Sequence, residues 1–365
     1  MVTKQIHIIG AGCAGLSLAK YIKMGTHHDP FEINFYGKKT KAFEKPNYWS
    51  FWRNSSNSKF DHLVKKKWFK WQIISNEARV IHKTSNFPYC TINSRDWLNF
   101  CGFEEIDIKA DIPKPGSLVF DSRTPKSQSG ILIQEFIGQT VVSQEAIFDP
   151  NIATLMDFRC EQSEGIHFIY LLPFSSNEAL VESTRISQFL CPKEFYKKQI
   201  STYLNTILHC SDFKIITEEY GKIPMGTLSK FDNNYLGIGA NGGCLRKSSG
   251  YAFNAILRQS QKITEKIFNN QPINSQKQIS NSFSIFEEIL DSIFLMALIK
   301  QPQQAPEYFT KISARLKGSE FAQFMSGGTS LIILLKLIFS LPKIAFIKAF
   351  FYTIKGYLKS GNNNR

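Results

Sequence analysis

One glutamate, Glu182, has the setting in this chain that most favours acid–base chemistry. Residues 166–173 form a continuous apolar run, typical of a strand that is buried on both faces. After turn residues at 175–177, residues 179–187 predict the returning strand, whose side chains alternate between two faces. One face takes Leu180, Glu182, Thr184 and Ile186, and the other takes Val181, Ser183 and Arg185.

This pattern predicts that the Glu182 carboxyl lies among apolar side chains. Burial disfavours the charged form, so we expect the pKa of Glu182 to be raised. A carboxylic acid that is protonated near neutral pH can serve as a general acid, which makes Glu182 the candidate catalytic residue. The alternatives are that this face is exposed to solvent or that Glu182 pairs with a structural arginine.

The N-terminal segment carries a glycine motif typical of a dinucleotide site. Residues 4–9 predict a buried strand, 13–23 a helix and 31–36 a second strand, which is the opening unit of a Rossmann-type domain. Glycines allow a tight turn, close approach of a pyrophosphate and close packing of the helix, whose N-terminus attracts phosphate. The site is therefore assigned to Gly10, Gly12, Ala14 and Gly15; the alternative is a glycine-rich turn without a ligand.

Two further segments bear on this site. The acid that commonly ends the second strand and binds a ribose is absent, because that strand continues as Phe35-Tyr36-Gly37-Lys38. Residues 237–243 resemble a second loop that approaches phosphate, and 250–268 predict the helix after it. The candidate binding residues of this loop are Gly239, Gly242 and Gly243.

The order of these patterns predicts an α/β protein in which a split Rossmann-type nucleotide domain is interrupted by a β-rich substrate domain. Residues 40–70 predict an aromatic loop, and 116–121 a strand that returns to the nucleotide sheet. A helical part and a C-terminal tail complete the chain. The predicted bounds are 1–128 with 229–272 for the nucleotide domain, 129–228 for the substrate domain, 273–328 for the helical part and 329–365 for the tail.

Composition narrows the class of protein. The 365 residues include 31 Phe and are 43% hydrophobic, which indicates a globular chain of one or two domains. The net charge of +14 favours an anionic partner, but the chain shows no nucleic-acid motif beyond the short run 65–67, so we expect a membrane surface rather than nucleic acid. Seven dispersed cysteines, without a CxxC pair, argue against disulfides and against a metal site. No signal peptide is expected, since the chain begins directly with a strand.

The composition of the C-terminal tail predicts that it attaches to a membrane surface. Residues 331–359 contain five lysines and no acid, and Pro342 divides them into two amphipathic segments. Lysines and a proline near the middle argue against a single spanning helix, which needs about 20 mainly apolar residues. Two helices lying in the interface of an anionic membrane fit the pattern, and two ordinary core-facing helices are the alternative.

An ordered series of motifs over nearly the whole chain resembles the bacterial and plant-type lycopene cyclases, flavoproteins of carotenoid synthesis. The matching segments are 134–139, 148–150, 155–159, 168–173, 180–184, 221–224, 249–251 and 289–295. The resemblance implies bound FAD in its reduced form, a nicotinamide cofactor (NADH or NADPH) as reductant and no net redox change. It also implies that Glu182 is the essential motif glutamate, that Gly250 and Tyr251 contact the cofactor, and that the enzyme is peripheral on the cytoplasmic side of the membrane.

The implied reaction is an isomerisation of lycopene. A proton adds to a terminal double bond, a neighbouring double bond attacks the resulting cation and closes a six-membered ring, and a proton is then lost. The overall pattern is nearest to the bacterial β-type, which implies β rings at both ends, giving γ-carotene and then β-carotene. Such a site must supply an acid, stabilise a cation and exclude water, and the aromatic candidates for stabilising the cation are Trp49, Trp52 and Tyr170.

The chain departs from the family pattern at three places. Ser183 stands where the family usually has a second acid, residues 247–252 replace Pro-Thr-Thr-Gly-Tyr-Ser, and the acid after the second strand is missing. The remaining hypotheses are an ε-cyclase, another FAD-dependent prenyl-lipid reductase or hydroxylase, a non-catalytic membrane-bound nucleotide-binding protein, and a nucleic-acid binder, which would lack the yellow colour of a flavin.

Overall fold

The computed structural model describes residues 5–25, 31–37, 47–102, 104, 106–111, 113, 118–125, 130–163, 165–229, 234–279 and 282–362. In chain order, the elements of the first half are β1 Gln5–Ile9, α1 Cys13–Gly25, β2 Glu32–Tyr36, β3 Tyr48–Trp52, β4 Val64–Trp68, β5 Lys70–Ile74, β6 Arg79–Lys83, β7 Tyr89–Asn93, α2 Ser94–Phe100, β8 Ile108–Lys109, β9 Val119–Asp121, β10 Leu132–Ser143, β11 Ile152–Asp157 and β12 Ile166–Pro173. Those of the second half are β13 Glu178–Ser187, α3 Lys193–Thr206, β14 Phe213–Met225, β15 Leu236–Gly237, α4 Phe253–Phe268, α5 Ile285–Lys300, α6 Ala305–Arg315, α7 Gly318–Ser326, α8 Leu331–Ser340 and α9 Lys343–Asn362.

A parallel sheet forms the base of the predicted nucleotide domain. Among the described residues its strands lie in the order β15-β9-β1-β2-β8, and neighbouring strands are parallel. Apolar side chains of β1, β2 and β9, with those of α1 and α4, build one continuous core, which includes Ile8, Leu16, Phe35, Phe120 and Ile256. The mixed α/β fold with a parallel sheet is therefore confirmed.

A large sheet carries the β-rich part of the chain. Within the described residues its order is β14-β10-β13-β12-β11-β5-β6, mostly antiparallel, with β11 and β5 parallel. The strands predicted at 166–173 and 179–187 are both present, the second beginning one residue earlier. A small antiparallel sheet, β3-β7-β4, lies beside it in the chain's first half.

The predicted loop at 40–70 is wrong at 48–52, at 64–68 and from 70 onward, which form strands, whereas 53–63 is a turn followed by a short 3₁₀ helix. Strands β3, β4 and β5 cover much of 48–74, because their aromatic and β-branched residues favour extended backbone and pairing with β7 and β11 stabilises it. The large sheet therefore extends beyond the predicted substrate domain, 129–228, since it takes β5 and β6 from 70–83. Some positions of the predicted elements lie outside the described residues; they are 4, 38, 40–46, 116–117, 129, 280–281 and 363–365.

Helices cover the two faces of the large sheet unequally. Helix α3 packs on one face, where Val181 of β13 meets Ile200 and Leu204. Helices α5 to α9 contribute to the core on the other face, together with Leu180 and Ile186. The two faces of β13 are thus separate environments, as the alternation predicts.

The tail forms two helices, and Pro342 separates them as predicted. No single described helix has the length and hydropathy to cross a membrane, while the bent pair α7 and α8, at 103°, meets those criteria by length and composition. Large apolar side chains are exposed along both tail helices, among them Ile332, Phe339, Ile344 and Phe351. One of the five tail lysines, Lys336, forms an ion pair with Glu320 of α7.

Candidate functional site

Glu182 lies at the middle of β13 on the face that α5 to α9 cover. Its side chain is 8% exposed, and the hydroxyl of Thr184 donates to its Oε1 at 2.7 Å. Burial raises the pKa of Glu182 to about 7, and the hydrogen bond from Thr184 opposes this only in part. The predicted burial and raised pKa are therefore confirmed, and no ion pair with an arginine forms at Glu182 among the described residues.

A second carboxyl, Glu219, lies in the same row of the sheet. Gly138 of β10 pairs with Glu182 on one side and with Glu219 of β14 on the other, so both acids project from one face. A Cβ at position 138 would lie 3.0 Å from Glu219 Cγ and 3.2 Å from its Oε1, so the Glu219 side chain lies over this glycine. Burial, followed by repulsion from Glu182, raises the pKa of Glu219 to about 8.

Sequence reasoning missed Glu219. It belongs to a strand that is mostly exposed along its length, and its neighbour Glu218 faces Lys197 on the other side of the sheet. The signal that could have found it is the period of two in β14, read together with a glycine in the strand that separates the two acids. Only strand order and register bring the two carboxyls together.

Ser183, which stands where the family usually has its second acid, faces away from Glu182. It is fully buried on the side that α3 covers, and its hydroxyl lies 2.9 Å from His167 Nε2. Adjacent strand residues point to opposite faces, so a side chain at 183 cannot reach the carboxyl row of this protein. The serine at position 183 therefore does not change the face of β13 that carries Glu182.

Tyrosine hydroxyls form a hydrogen-bonded chain beside the two acids. The hydroxyl of Tyr89 lies 2.7 Å from that of Tyr251 and 2.9 Å from that of Tyr170, which donates to Ser50 Oγ at 2.9 Å. Tyr170 is also the residue paired with Glu182 in β12. Burial raises the pKa of all three tyrosines well above their ordinary value, so the hydroxyls stay neutral and can orient their dipoles.

Both acids and all three tyrosines of this hydrogen-bonded chain line one cavity of about 970 Å³. This is at the upper end of the range of about 300 to 1,000 Å³ that is typical for ligand pockets. Its wall is mainly apolar and aromatic. The wall runs from Cys13, at the start of α1, past the carboxyl row to the tail helices, and includes Trp49, Phe136, Phe294, Phe339, Phe346 and Phe350.

The predicted cation-stabilising aromatics fall in two environments. Trp49 and Tyr170 line the cavity beside the acids. Trp52 does not line it: the indole is 1% exposed and packs against Trp71, Tyr89 and Phe321. Trp52 is therefore a core residue in this fold, because neighbouring aromatic rings enclose its indole.

The N-terminal glycine turn has the shape of a cradle for a phosphate. Gly10 adopts φ +91°, and its N–H donates to the carbonyl of Tyr36 at 2.9 Å. A Cβ at Gly15 would lie 2.2 Å from the carbonyl oxygen of Gly10, whereas one at Gly12 would meet no described atom within 4 Å. The space in front of α1 is therefore open, and no acid in the first helical turn opposes an anion there.

The second glycine loop supports this turn. Gly239, at φ +62°, lies so close to α1 that its Cβ would be 2.5 Å from the Cβ of Ala14. A Cβ at Gly242 would lie 2.3 Å from the carbonyl oxygen of Gly237, and Gly243 ends the loop at φ +80°. Gly250 and Tyr251, further on, line the cavity that holds Glu182. Of the predicted cofactor-binding residues, Gly250 and Tyr251 thus line the cavity, and those of the two glycine loops lie around the start of α1.

A family model described as "lycopene cyclase protein" matches residues 104–350. This segment contains both carboxyl strands, the second glycine loop and most of the helices that close the cavity. The chain belongs to the lycopene cyclase family. A comparison with curated protein sequences finds no match.

Solved structures with a similar fold include proteins of several activities, and two of the three described next are named as flavin proteins. One is a geranylgeranyl bacteriochlorophyll reductase-like protein from Thermoplasma acidophilum, at 11% identity and TM-score 0.54, covering 92% of this chain and 96% of that chain. Another is a flavoprotein/dehydrogenase from Cytophaga hutchinsonii, at 10% identity and TM-score 0.56, covering 85% and 88%. A third is a flavin-dependent brominase, at 12% identity and TM-score 0.55, covering 98% and 100%. At these identities the likeness shows the fold alone.

Proposed function

We propose that this protein is a lycopene β-cyclase, which closes β rings at both ends of lycopene without net redox change. The observation that carries the proposal is a buried glutamate, Glu182, with a raised pKa in the wall of a large apolar cavity. A hydrocarbon offers no polar group to bind, so an apolar channel with an acid at one point of its wall suits it. The family match over 104–350 supports the same substrate class.

The side chains present supply each chemical requirement of the reaction. Glu182, protonated near neutral pH, donates the proton to the terminal double bond. Its carboxylate, the aromatic rings of Trp49 and Tyr170, and the oriented hydroxyls of the tyrosine chain stabilise the cation that results. The apolar wall excludes water, which would otherwise trap the cation as an alcohol.

The glycine turn and the second loop fit FAD. Gly10, Gly12, Ala14 and Gly15 would hold the pyrophosphate, supported by Gly239, Gly242 and Gly243, while Gly250 and Tyr251 face the cavity. When bound and reduced at the expense of NADH or NADPH, the flavin would supply negative charge near the cation. Cys13 at the start of α1 lines the same cavity as Glu182, which supports a cofactor close to the reacting carbons.

We further propose that the tail attaches the enzyme peripherally to the cytoplasmic side of a membrane. Exposed apolar side chains on α8 and α9 adjoin Phe339, Phe346 and Ile347, which line the cavity. Residues 331–359 contribute five lysines and no acid, which complements anionic lipid. Lycopene dissolves in the bilayer, so a cavity whose wall includes the tail helices would receive it without passage through water.

Expression in a lycopene-accumulating bacterial host tests the proposed reaction. We expect red lycopene to be converted into a product of unchanged mass with β-ring absorption, while Glu182→Gln lowers the turnover by about 10²- to 10⁴-fold. Chromatography with mass spectrometry measures this, and flavin content shows that the variant is folded. An ε-ring product of the same mass would correct only the ring type.

Reductant stoichiometry separates the cyclase from a prenyl-lipid reductase or hydroxylase. A reductase or hydroxylase consumes one reductant per product, whereas the cyclase needs only enough to keep the flavin reduced. A product with added hydrogen or oxygen would overturn the proposal in favour of those activities. Unchanged pigment with a folded, flavin-containing protein would instead contradict the choice of lycopene as substrate.

A further inference from the structure

The row of residues across the large sheet contains two acids and no side chain between them. Tyr170, Glu182, Gly138 and Glu219 occupy paired positions on four adjacent strands, β12, β13, β10 and β14. Strands lie about 4.8 Å apart, so the Cα atoms of the two glutamates are separated by two spacings, roughly 10 Å. Because residue 138 is glycine, the Glu219 side chain can lie over β10 toward Glu182.

Glu219 is buried in the protein and faces the cavity. It is 7% exposed and lines the same cavity wall as Glu182. The N–H of Tyr48 donates a hydrogen bond to Glu219 Oε2 at 3.0 Å. No cation pairs with either acid among the ion pairs of the described residues. Two uncompensated carboxyls at this depth are costly, and they repel each other when both are ionised.

We propose that Glu219 is the catalytic base of the reaction and that it holds one exchangeable proton jointly with Glu182. This rests on the cyclase function proposed above. Glu182 gives its proton to the terminal double bond and becomes a carboxylate. After the ring carbon–carbon bond forms, the Glu219 carboxylate accepts the proton that leaves the ring, and the ring double bond forms from that C–H electron pair. The proton then passes from Glu219 back to Glu182, so no oxidant, reductant or external acid is consumed.

The hydrogen bonds of the two glutamates indicate which one acts as the acid and which as the base. The backbone N–H of Tyr48 can only donate, so it favours an ionised oxygen on Glu219. The hydroxyl partner of Glu182, Thr184, can donate or accept, so it accommodates both the acid and the carboxylate. Burial raises the pKa of both carboxyls, and repulsion from Glu182 raises that of Glu219 further, so the pair holds one proton near neutrality. This proton must lie on Glu182 before the ring closes, and the N–H of Tyr48 stabilises the Glu219 carboxylate in that arrangement.

The variant Glu219→Gln isolates the proton-accepting role. Glutamine retains the volume and an oxygen that accepts from Tyr48, but it cannot take a proton from the ring. We expect turnover of lycopene in lipid vesicles, by the reduced holoenzyme, to fall by about 10²- to 10⁴-fold, with flavin content and unfolding midpoint close to those of the wild type. The matched control is Glu218→Gln on the same strand, whose carboxylate faces Lys197 instead; it should keep the wild-type rate.

The pH profile distinguishes a base from a merely structural acid. A base must be ionised, so wild-type turnover should fall as the pH is lowered through the pKa of the pair. Glu219→Gln should lose this acid limb and keep the alkaline limb that reflects Glu182. A structural role would instead lower the rate equally at every pH and lower the unfolding midpoint with it.

Each outcome is decisive. If the wild type and Glu218→Gln cyclise lycopene, Glu182→Gln does not, and Glu219→Gln keeps the wild-type rate and acid limb, this inference is overturned while the cyclase stands. If the wild type leaves lycopene unchanged, both this inference and the proposed cyclase function fail. If Glu219→Gln does not fold, Glu219→Asp takes its place: a displaced acid limb supports the base, and an unchanged rate and profile overturn it.

Discussion

At the scale of single residues, the chemistry of a carboxyl here depends on the face from which it projects. Glu182 and Ser183 are neighbours in the chain, but one borders the apolar cavity and the other is packed under α3. The same alternation separates Glu219, in the cavity wall, from Glu218, which pairs with Lys197. The number of acidic residues in a sequence motif therefore does not give the number of carboxyls that face the cavity.

The substitution Ser183→Glu tests this geometry. We expect it to lower the free energy of unfolding by about 1 to 3 kcal/mol and to leave turnover no faster, because the larger side chain must fit a fully buried position against His167. Chemical denaturation and pigment assays measure the two effects. The control is Ser55→Glu on an exposed loop, which should change stability by no more than about 0.5 kcal/mol. Faster cyclisation by Ser183→Glu would contradict this assignment of faces.

At the scale of elements, the two glycine loops and α1 act as one unit. Gly15 and Gly239 lack side chains because backbone or helix atoms lie where a Cβ would be, whereas Gly12 borders open space. The three glycines thus serve different purposes, two of them packing and one of them ligand access. This difference makes their variants separable by experiment.

Gly12→Ala should impair flavin binding without harming the fold. We expect the free energy of unfolding of the flavin-free protein to stay within about 0.5 kcal/mol of the wild type, since no described atom lies within 4 Å of the added methyl. FAD affinity should fall at least about tenfold, because the methyl enters the space in front of α1. Fluorescence titration with FAD measures this. Gly15→Ala is the contrast and should destabilise the protein itself; equal FAD affinity for Gly12→Ala and the wild type would remove Gly12 from the site.

At the scale of the whole molecule, the cavity connects parts that are distant in the chain. Its wall takes Cys13 from the first helix, the two acids from the large sheet and Phe350 from the last helix. The tail helices are therefore both the outer surface and part of the inner wall. A membrane attached to them would lie next to the cavity that holds Glu182.

The double variant Ile344→Asp/Phe351→Asp should weaken membrane attachment. Both side chains are more than 60% exposed, and neither lines the cavity. Burial of each in lipid contributes about 1.5 kcal/mol or more, so their loss should lower the affinity for vesicles by roughly 100-fold. Co-sedimentation with anionic and neutral vesicles measures this, and Phe189→Asp, at an equally exposed phenylalanine outside the tail, is the control. Equal binding by all three proteins would argue against the tail as the attachment surface.

The sequence by itself determined the features that depend on local periodicity. The β1–α1–β2 unit, the strands at 166–173 and 179–187, the buried face of Glu182 and the division of the tail at Pro342 all follow from spacing within one element. Burial then made the raised pKa of Glu182 predictable, since desolvation depends on that face alone.

Only the tertiary structure decided which elements meet. The strands hidden in the predicted loop at 40–70, the row that joins Glu219 to Glu182 across Gly138, and the cavity shared by α1 and the tail all depend on pairings between distant segments. Strand order and register are set by the packing of the whole sheet, and no period within a single segment encodes them. The second carboxyl is therefore visible only after the chain has folded, because its partner lies 37 residues away along the chain and two strands away in space.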